Sequence, residues 1–138
     1  MIGTAPTIGE ELPASEIGGF TQLQVVHYAE ASGDRNPIHT DAVLARSAGL
    51  AGCVVHGMLV VGQLEEVIHR WRGDAWLVAS STRFVNPLLV DERLTITARI
   101  VAQRTTEPFD FVVRLIARGS GDRIICLSDG QVRIGPKD

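Results

Sequence analysis

Aromatic side chains are scarce in this 138-residue chain: two Trp, one Tyr and four Phe make up 5% of it. A platform for stacking the bases of single-stranded nucleic acid is therefore poorly supplied. A basic excess is missing as well, since 13 Lys and Arg face 16 Asp and Glu for a net charge of −3. With a pI near 5.8, the electrostatic footprint of a nucleic-acid binder is not there. Cys53 and Cys126 form no CxxC pair, which suggests neither a zinc site nor a disulfide framework. No apolar run approaches the roughly 18 residues of a membrane span. The start, Met1-Ile2-Gly3-Thr4-Ala5-Pro6, lacks the basic segment and apolar stretch of a secretory signal. These absences lead to the expectation of a cytoplasmic globular protein with no nucleic-acid and no membrane partner.

What is present is aliphatic. The chain is 45% hydrophobic and only 21% charged, too apolar to stay disordered, and its length suits a single domain over residues 1–138. Helical character dominates before Gly73-Asp74. Thr21 with Gln24 three residues on makes a capping box, Leu23, Val26 and Ala29 to Ala31 follow at helical spacing, and Gly33 can close the helix in the left-handed conformation. This predicts a helix over about 22–31. A shorter one is predicted over Asp41 to Ser47, capped by Thr40 or Asp41 and stopped by Gly49. The strongest pattern runs from Gly57 to about Arg72, with Val61, Leu64, Val67 or Ile68, and Trp71 recurring at three- and four-residue steps. Its first turn, Met58 to Val61, is apolar all round and predicts burial of that end.

After Gly73 the period becomes two. Leu94, Ile96, Ala98, Ile100 and Ala102 alternate with polar residues, and Phe109, Phe111, Val113, Leu115 and Ala117 alternate with Asp110, Arg114 and Arg118. Turns are predicted at Thr106-Glu107-Pro108 and at Gly119 to Asp122. With Trp76 to Val85 before and Arg123 to Ile134 after, four strands form an antiparallel meander. One apolar sheet face needs a cover, and the 57–72 helix is long and apolar enough to supply it. The predicted class is α+β, a curved antiparallel sheet wrapped around one long central helix.

Ser32-Gly33-Asp34-Arg35-Asn36-Pro37-Ile38-His39 is the densest polar, turn-forming stretch. Pro37 pushes Asn36 toward extended backbone, so a carboxylate and an imidazole sit on one loop of restricted shape, a pairing suited to general acid and base work. Further on, His56-Gly57-Met58 opens the long helix. Its first amides have no intrahelical partner and carry the positive end of the dipole, so a glycine there admits a carbonyl oxygen as an oxyanion site requires. Each part also has a plainer reading. Asp34 could be a turn former, Asn36-Pro37 a turn signal alone, and His39 or His56 a helix cap. Turn formation, however, does not call for an imidazole five residues after the carboxylate.

Tyr28 to His39, reading YAEASGDRNPIH, followed by Ala45 and His56-Gly57-Met58, closely resembles the signature of the MaoC-like dehydratases, the (R)-specific 2-enoyl-CoA hydratase family. Arg83-Phe84 with Pro87 also resembles that family's entry to its second long strand. The resemblance implies the hot-dog fold and a homodimer. In such enzymes the residues matching Asp34 and His39 hold one water. His39 would take its proton as it attacks the β-carbon, and Asp34 would protonate the α-carbon. Asn36 would position this dyad, and the Gly57 amide would bind the thioester oxygen. Tyr28, His56, Met58 and Leu59 are the implied substrate-binding residues, with acyl-CoA or acyl-carrier-protein thioesters as substrates and neither metal nor other cofactor. Two positions depart from the family pattern: Ala31 stands for a larger aliphatic residue, and Asp91-Glu92 for a Gly-Asp turn.

The leading expectation is a hydro-lyase acting reversibly on 2-enoyl thioesters. A 3-hydroxyacyl-carrier-protein or branched hydroxyacyl-CoA dehydratase keeps the fold and changes the substrate. A non-catalytic thioester-binding half of a heterodimer would not need both Asp34 and His39, and hot-dog thioesterases do not rely on this loop. His27 and His69 are read as solvated or structural, and Cys53 as a small apolar residue. Arg99, Arg104, Arg114, Arg118 and Arg123 are read mainly as a solvated sheet face, with a minority able to meet coenzyme A phosphates.

Overall fold

The structure is a computed structural model describing residues 5–106 and 109–135. Among the described residues the elements are β1 (Glu11–Ile17), α1 (Gln22–Ser32), α2 (Ala42–Ser47), α3 (Gly57–Trp71), β2 (Ala75–Phe84), β3 (Leu94–Thr106), β4 (Phe109–Arg118) and β5 (Ile124–Ile134). Single 3-10 turns occupy Pro37–His39 and Ser120–Asp122. All strand pairs are antiparallel, in the order β1-β3-β4-β5-β2.

The helices form where local chemistry dictates. Thr21 and Gln24 make the reciprocal capping box of α1, and Gly33 ends it at φ 79°. Its buried stripe is Val25 and Ala29, one turn apart; Leu23, counted on the apolar face from sequence, is exposed. Asp41 rather than Thr40 caps α2, accepting from the amides of Val43 and Leu44. Along α3 the core residues are Val60, Leu64, Val67 and Ile68, so the stripe enters at Val60 and not at Val61. The expected burial of the first turn holds only in part: Val60 is buried and Leu59 packs on the core, but Met58 stands out. Met58 is 61% exposed and lines a cleft at this end of the helix.

The meander is confined to β3, β4 and β5. β2 pairs with β5, not with its sequence neighbour β3, and so takes the far edge. Alternation reveals that a segment is a strand but carries no record of its partner. β1 is an addition that alternation missed: Glu-Leu-Pro-Ala-Ser-Glu-Ile has weak strand propensity, and Pro13 falls where the register with β3 shifts between Leu12 and Ser15. An edge strand with a bulge tolerates proline where a central one would not. α3 touches both edge strands, β1 and β2, which is how the sheet curls around it. Val60, Leu64, Val67 and Ile68 meet Ile96, Ile100, Val113, Leu115 and Val132 in the core.

Register shifts also correct the strand faces. β3 alternates as expected up to Ile100, but a bulge before Ala102 leaves Ala102 only half-buried. Across from the second shift, between Gln103 and Thr105, the expected order inverts: Phe109 is exposed and Asp110 is buried. Asp110 is held by Arg133 at 2.7 and 2.9 Å and by Gln131 at 2.8 Å. The Arg133 hydrogen bond is the main cause of a carboxyl held below its usual range, with burial acting the opposite way. Residues 107 and 108 of the expected Thr106-Glu107-Pro108 turn lie outside the described residues. The 3-10 turn at Ser120–Asp122 falls within the turn predicted at Gly119 to Asp122.

Candidate active site

Asp34 and His39 are delivered by the chain between α1 and α2. Asn36 caps the 3-10 turn through Oδ1, which accepts from the Ile38 amide at 3.2 Å, and Pro37 supplies its first residue. The Asn36 amide donates to Asp34 Oδ1 at 3.3 Å, leaving Oδ2 turned toward His39 Nε2, 3.7 Å away. Asn36 therefore shapes the loop that carries the pair, acting through its amide and its cap.

His39 is buried, with 7% of its surface exposed. Its Nδ1 lies 2.7 Å from the carbonyl oxygen of Val54. A carbonyl only accepts, so Nδ1 carries the hydrogen and the neutral ring presents a bare Nε2 to Asp34. That carbonyl is itself well anchored. The Val54 amide donates to Ile38 O, the Val55 amide to Leu88 O and the Val90 amide to Cys53 O, and Val54 bridges to Leu89. Gln22 Nε2 donates to the His39 carbonyl at 2.8 Å.

Glu92, at the position where the family pattern departs, anchors the same region. It accepts from the amides of Leu89 (3.0 Å) and Ser120 (2.8 Å) and from Arg123, whose Nη2 is 2.8 Å from both oxygens. Burial pushes its carboxyl up, but these hydrogen bonds prevail and hold it below the usual range. Its neighbour Asp91 takes the left-handed conformation at φ 67°, the role a glycine would fill with less strain.

His56 and Gly57 open α3 opposite the pair. His56 is 2% exposed and gives α3 no side-chain cap. Its ring instead stacks on His39, with centroids 3.7 Å apart and planes at 20°, and meets the edge of Tyr28 at 4.8 Å. The amides of Gly57 and Met58 begin the helix and have no residue four back to bond within it. A Cβ on Gly57 would come within 2.7 Å of the Phe84 ring, so the glycine lets the ring approach the helix closely. Beside them lies a cleft of about 640 Å³. Val55, Val60, Leu88 and Ile125 form buried apolar wall, while Met58, Phe84 and Val85 form an exposed apolar mouth.

Of the residues expected at the site, Asp34, Tyr28, His56, Gly57 and Met58 line this cleft, whereas His39, with Nε2 3.7 Å from Asp34 Oδ2, and Asn36 are not among its lining residues. Leu59 does not line it; it packs on the hydrophobic core, one residue being enough to turn a helical side chain about 100°. Phe84, Val85, Leu88 and Ile125 were not singled out as cleft residues, since they come from β2, the segment after it and β5. His27 and His69 are exposed, and Cys53 is buried. Four of the arginines are engaged on the sheet, Arg99 with Glu11, Arg104 with Gln131, Arg114 with Asp129 and Arg118 with Thr97, and Arg123, just before β5, pairs with Glu92.

Asp34, His39 and His56 offer donor atoms within 4.8 Å of one another, a spacing that can hold a metal ion. One nitrogen of each ring is already engaged by a main-chain carbonyl, Nδ1 of His39 by Val54 O and Nε2 of His56 by Asp34 O. The arrangement suits proton transfer between a carboxylate and an imidazole next to unpaired helix amides.

Residues 3–117 match the model of the MaoC like domain. The chain belongs to this family. Among relatives of the MaoC-like chain is the mitochondrial 3-hydroxyacyl-[acyl-carrier-protein] dehydratase of Arabidopsis thaliana, 31% identical over 100 residues, covering 72% of this chain and 59% of the relative. Another is 3-hydroxyacyl-thioester dehydratase X of Mycobacterium tuberculosis, 30% identical over 107 residues, 78% of this chain and 36% of the relative. The chain thus spans less than two thirds of either. The (R)-hydratase from A. caviae superposes with a TM-score of 0.87 at 19% identity, over 96% of this chain and all of that one. At that identity the likeness establishes the fold, and the MaoC-like chain has the hot-dog architecture.

Proposed function

We propose that this protein is a hydro-lyase that adds water reversibly across the double bond of a 2-enoyl thioester, giving an (R)-3-hydroxyacyl thioester. The observation that carries the reading is the Asp34–His39 pair: Nδ1–H spent on Val54 O, bare Nε2 facing Asp34 Oδ2, beside the free amides of α3. Water oxygen adds to the β-carbon while its proton passes to His39 Nε2, and Asp34, entering the cycle protonated, gives its proton to the α-carbon. The negative charge that gathers on the thioester oxygen meets the Gly57 amide and the positive end of the α3 dipole. His39 then returns its proton to Asp34, which resets the pair. Carbon changes no net oxidation level, so the reaction needs no redox cofactor, and the helix end supplies the polarising charge.

The aliphatic wall fits an acyl chain, each buried methylene contributing about 0.8 kcal/mol. Coenzyme A is the carrier we favour, with a carrier protein as the second reading because the Arabidopsis relative is named for that substrate. We also propose a homodimer, since β1 and β2 are open edges and β2 carries exposed Val78 and Phe84.

Purified protein should consume the enoyl absorbance of crotonyl-CoA and longer enoyl-CoAs, and Asp34→Asn should lower kcat by about 10²–10⁴, the usual contribution of a positioned acid or base. Inactivity on both CoA and carrier-protein thioesters, or a wild-type rate for Asp34→Asn, would defeat the reading. Activity on carrier-protein thioesters alone would select the second carrier.

A further inference from the structure

The mechanism above leaves one buried, polar, cleft-lining side chain without a task. His56 is 2% exposed, and its Nε2 lies 3.0 Å from the main-chain oxygen of Asp34. That oxygen accepts only, so the hydrogen is on Nε2. Nδ1 is then bare in the neutral ring, and it is buried with no partner among the described residues. A buried polar atom left unpaired costs roughly 1–3 kcal/mol. An apolar ring of similar shape would avoid that cost, so the imidazole here must serve another end.

We infer that His56 is the positioning residue of the site, tying the acid to the helix that carries the oxyanion amides by donating Nε2–H to the Asp34 carbonyl. His56 directly precedes Gly57, so this one hydrogen bond joins the loop at residue 34 to the first turn of α3. The stacked His39 ring completes the unit, its far edge held by Val54 O. The two imidazoles are thereby locked as opposite tautomers, Nδ1–H on His39 and Nε2–H on His56, each by a main-chain carbonyl. Acid, base and oxyanion donors then move as one body. Asn36 shapes the loop locally, whereas His56 fixes where the loop sits relative to the helix.

The inference rests on the hydro-lyase reading for its kinetic arm only. His56→Gln keeps an N–H donor of comparable reach; His56→Phe keeps a flat ring to stack but no donor. A misplacement of about 1 Å can cost on the order of 10²-fold, so His56→Phe should lose about 100-fold in kcat with KM within roughly threefold, while His56→Gln recovers to within roughly tenfold of wild type. A wild-type kcat for His56→Phe overturns the inference, as does an equal loss in both variants when both melt at the wild-type temperature. Nitrogen-15 NMR of the wild-type imidazoles tests it without any variant. Nε2–H on His56 together with Nδ1–H on His39 supports it, and Nδ1–H on His56 overturns it. Failure of the wild type to hydrate any thioester would count against the hydro-lyase reading and leave the NMR outcome to decide this one.

Discussion

Replacing Gly57 by Ala tests steric and catalytic demands at one atom. The added Cβ would stand 2.7 and 2.8 Å from Phe84 Cε1 and Cζ, and 3.3 Å from Cδ1. Carbon atoms pack best at about 3.5–4.0 Å, so the ring must retreat by about 1 Å. It has room to do so, since Phe84 is 52% exposed at the end of an edge strand. The overpacking cost therefore falls at the low end of its range, about 1 kcal/mol. Helix propensity favours Ala over Gly by up to about 1 kcal/mol, so net stability should change by less than about 1 kcal/mol. Activity should respond very differently. The methyl adjoins the amide proposed to receive the thioester oxygen, and loss of one such donor costs about 10²–10³ in kcat. Adding Phe84→Ala separates the two demands. Urea unfolding of the four-member cycle should give a favourable coupling of about 1 kcal/mol, because the methyl no longer meets a ring. Enoyl-CoA hydration should stay low in the double variant, because the methyl still crowds the amide. Additive stabilities would refute the packing argument, and wild-type kcat/KM in Gly57→Ala would refute the oxyanion assignment.

The carboxylate anchors give two further predictions. Glu92→Gln removes the charge that Arg123 and two amides share beneath the segment carrying Leu88 and Leu89. Breaking a buried pair costs about 3–5 kcal/mol, and the Arg123 side chain is 36% exposed, so a discounted loss of about 2 kcal/mol is expected in urea unfolding. Acid should unfold the protein through the same groups. Glu92 and Asp110 both have carboxyls held below their usual range in the folded state. The unfolded chain then binds protons first, so their stabilisation is complete above the unfolded values of about 4.3 and 3.9 and drains away as pH falls through the folded ones. Stability measured from pH 6 down to pH 2 should fall along this limb, and Glu92→Gln should flatten it. An unchanged limb in that variant would remove Glu92 from the account.

Legibility in the sequence follows the range of the interaction. The capping box at Thr21 and Gln24, the Asp41 cap and the loop from Asp34 to His39 are closed by contacts within five residues, and each was readable from the residues involved. β1 and the place of β2 were not, because strand partners lie from 42 (Phe84 with Cys126) to 88 (Glu11 with Arg99) positions away and leave no mark in a strand's own alternation. The same limit hid the carbonyl partners that define the site, Val54 O for His39 and Asp34 O for His56, since main-chain oxygens have no letter in a sequence. One misreading is informative by itself. Met58 reads as core and is exposed, and Phe84 and Val85, equally apolar, are exposed beside it at the mouth of one cleft. Scattered apolar exposure needs no explanation; apolar residues gathered around an acid, a base and free helix amides do. A chain selected only for folding would have placed polar residues there. The fold leaves those side chains uncovered where the proposed reaction requires an acyl group to enter.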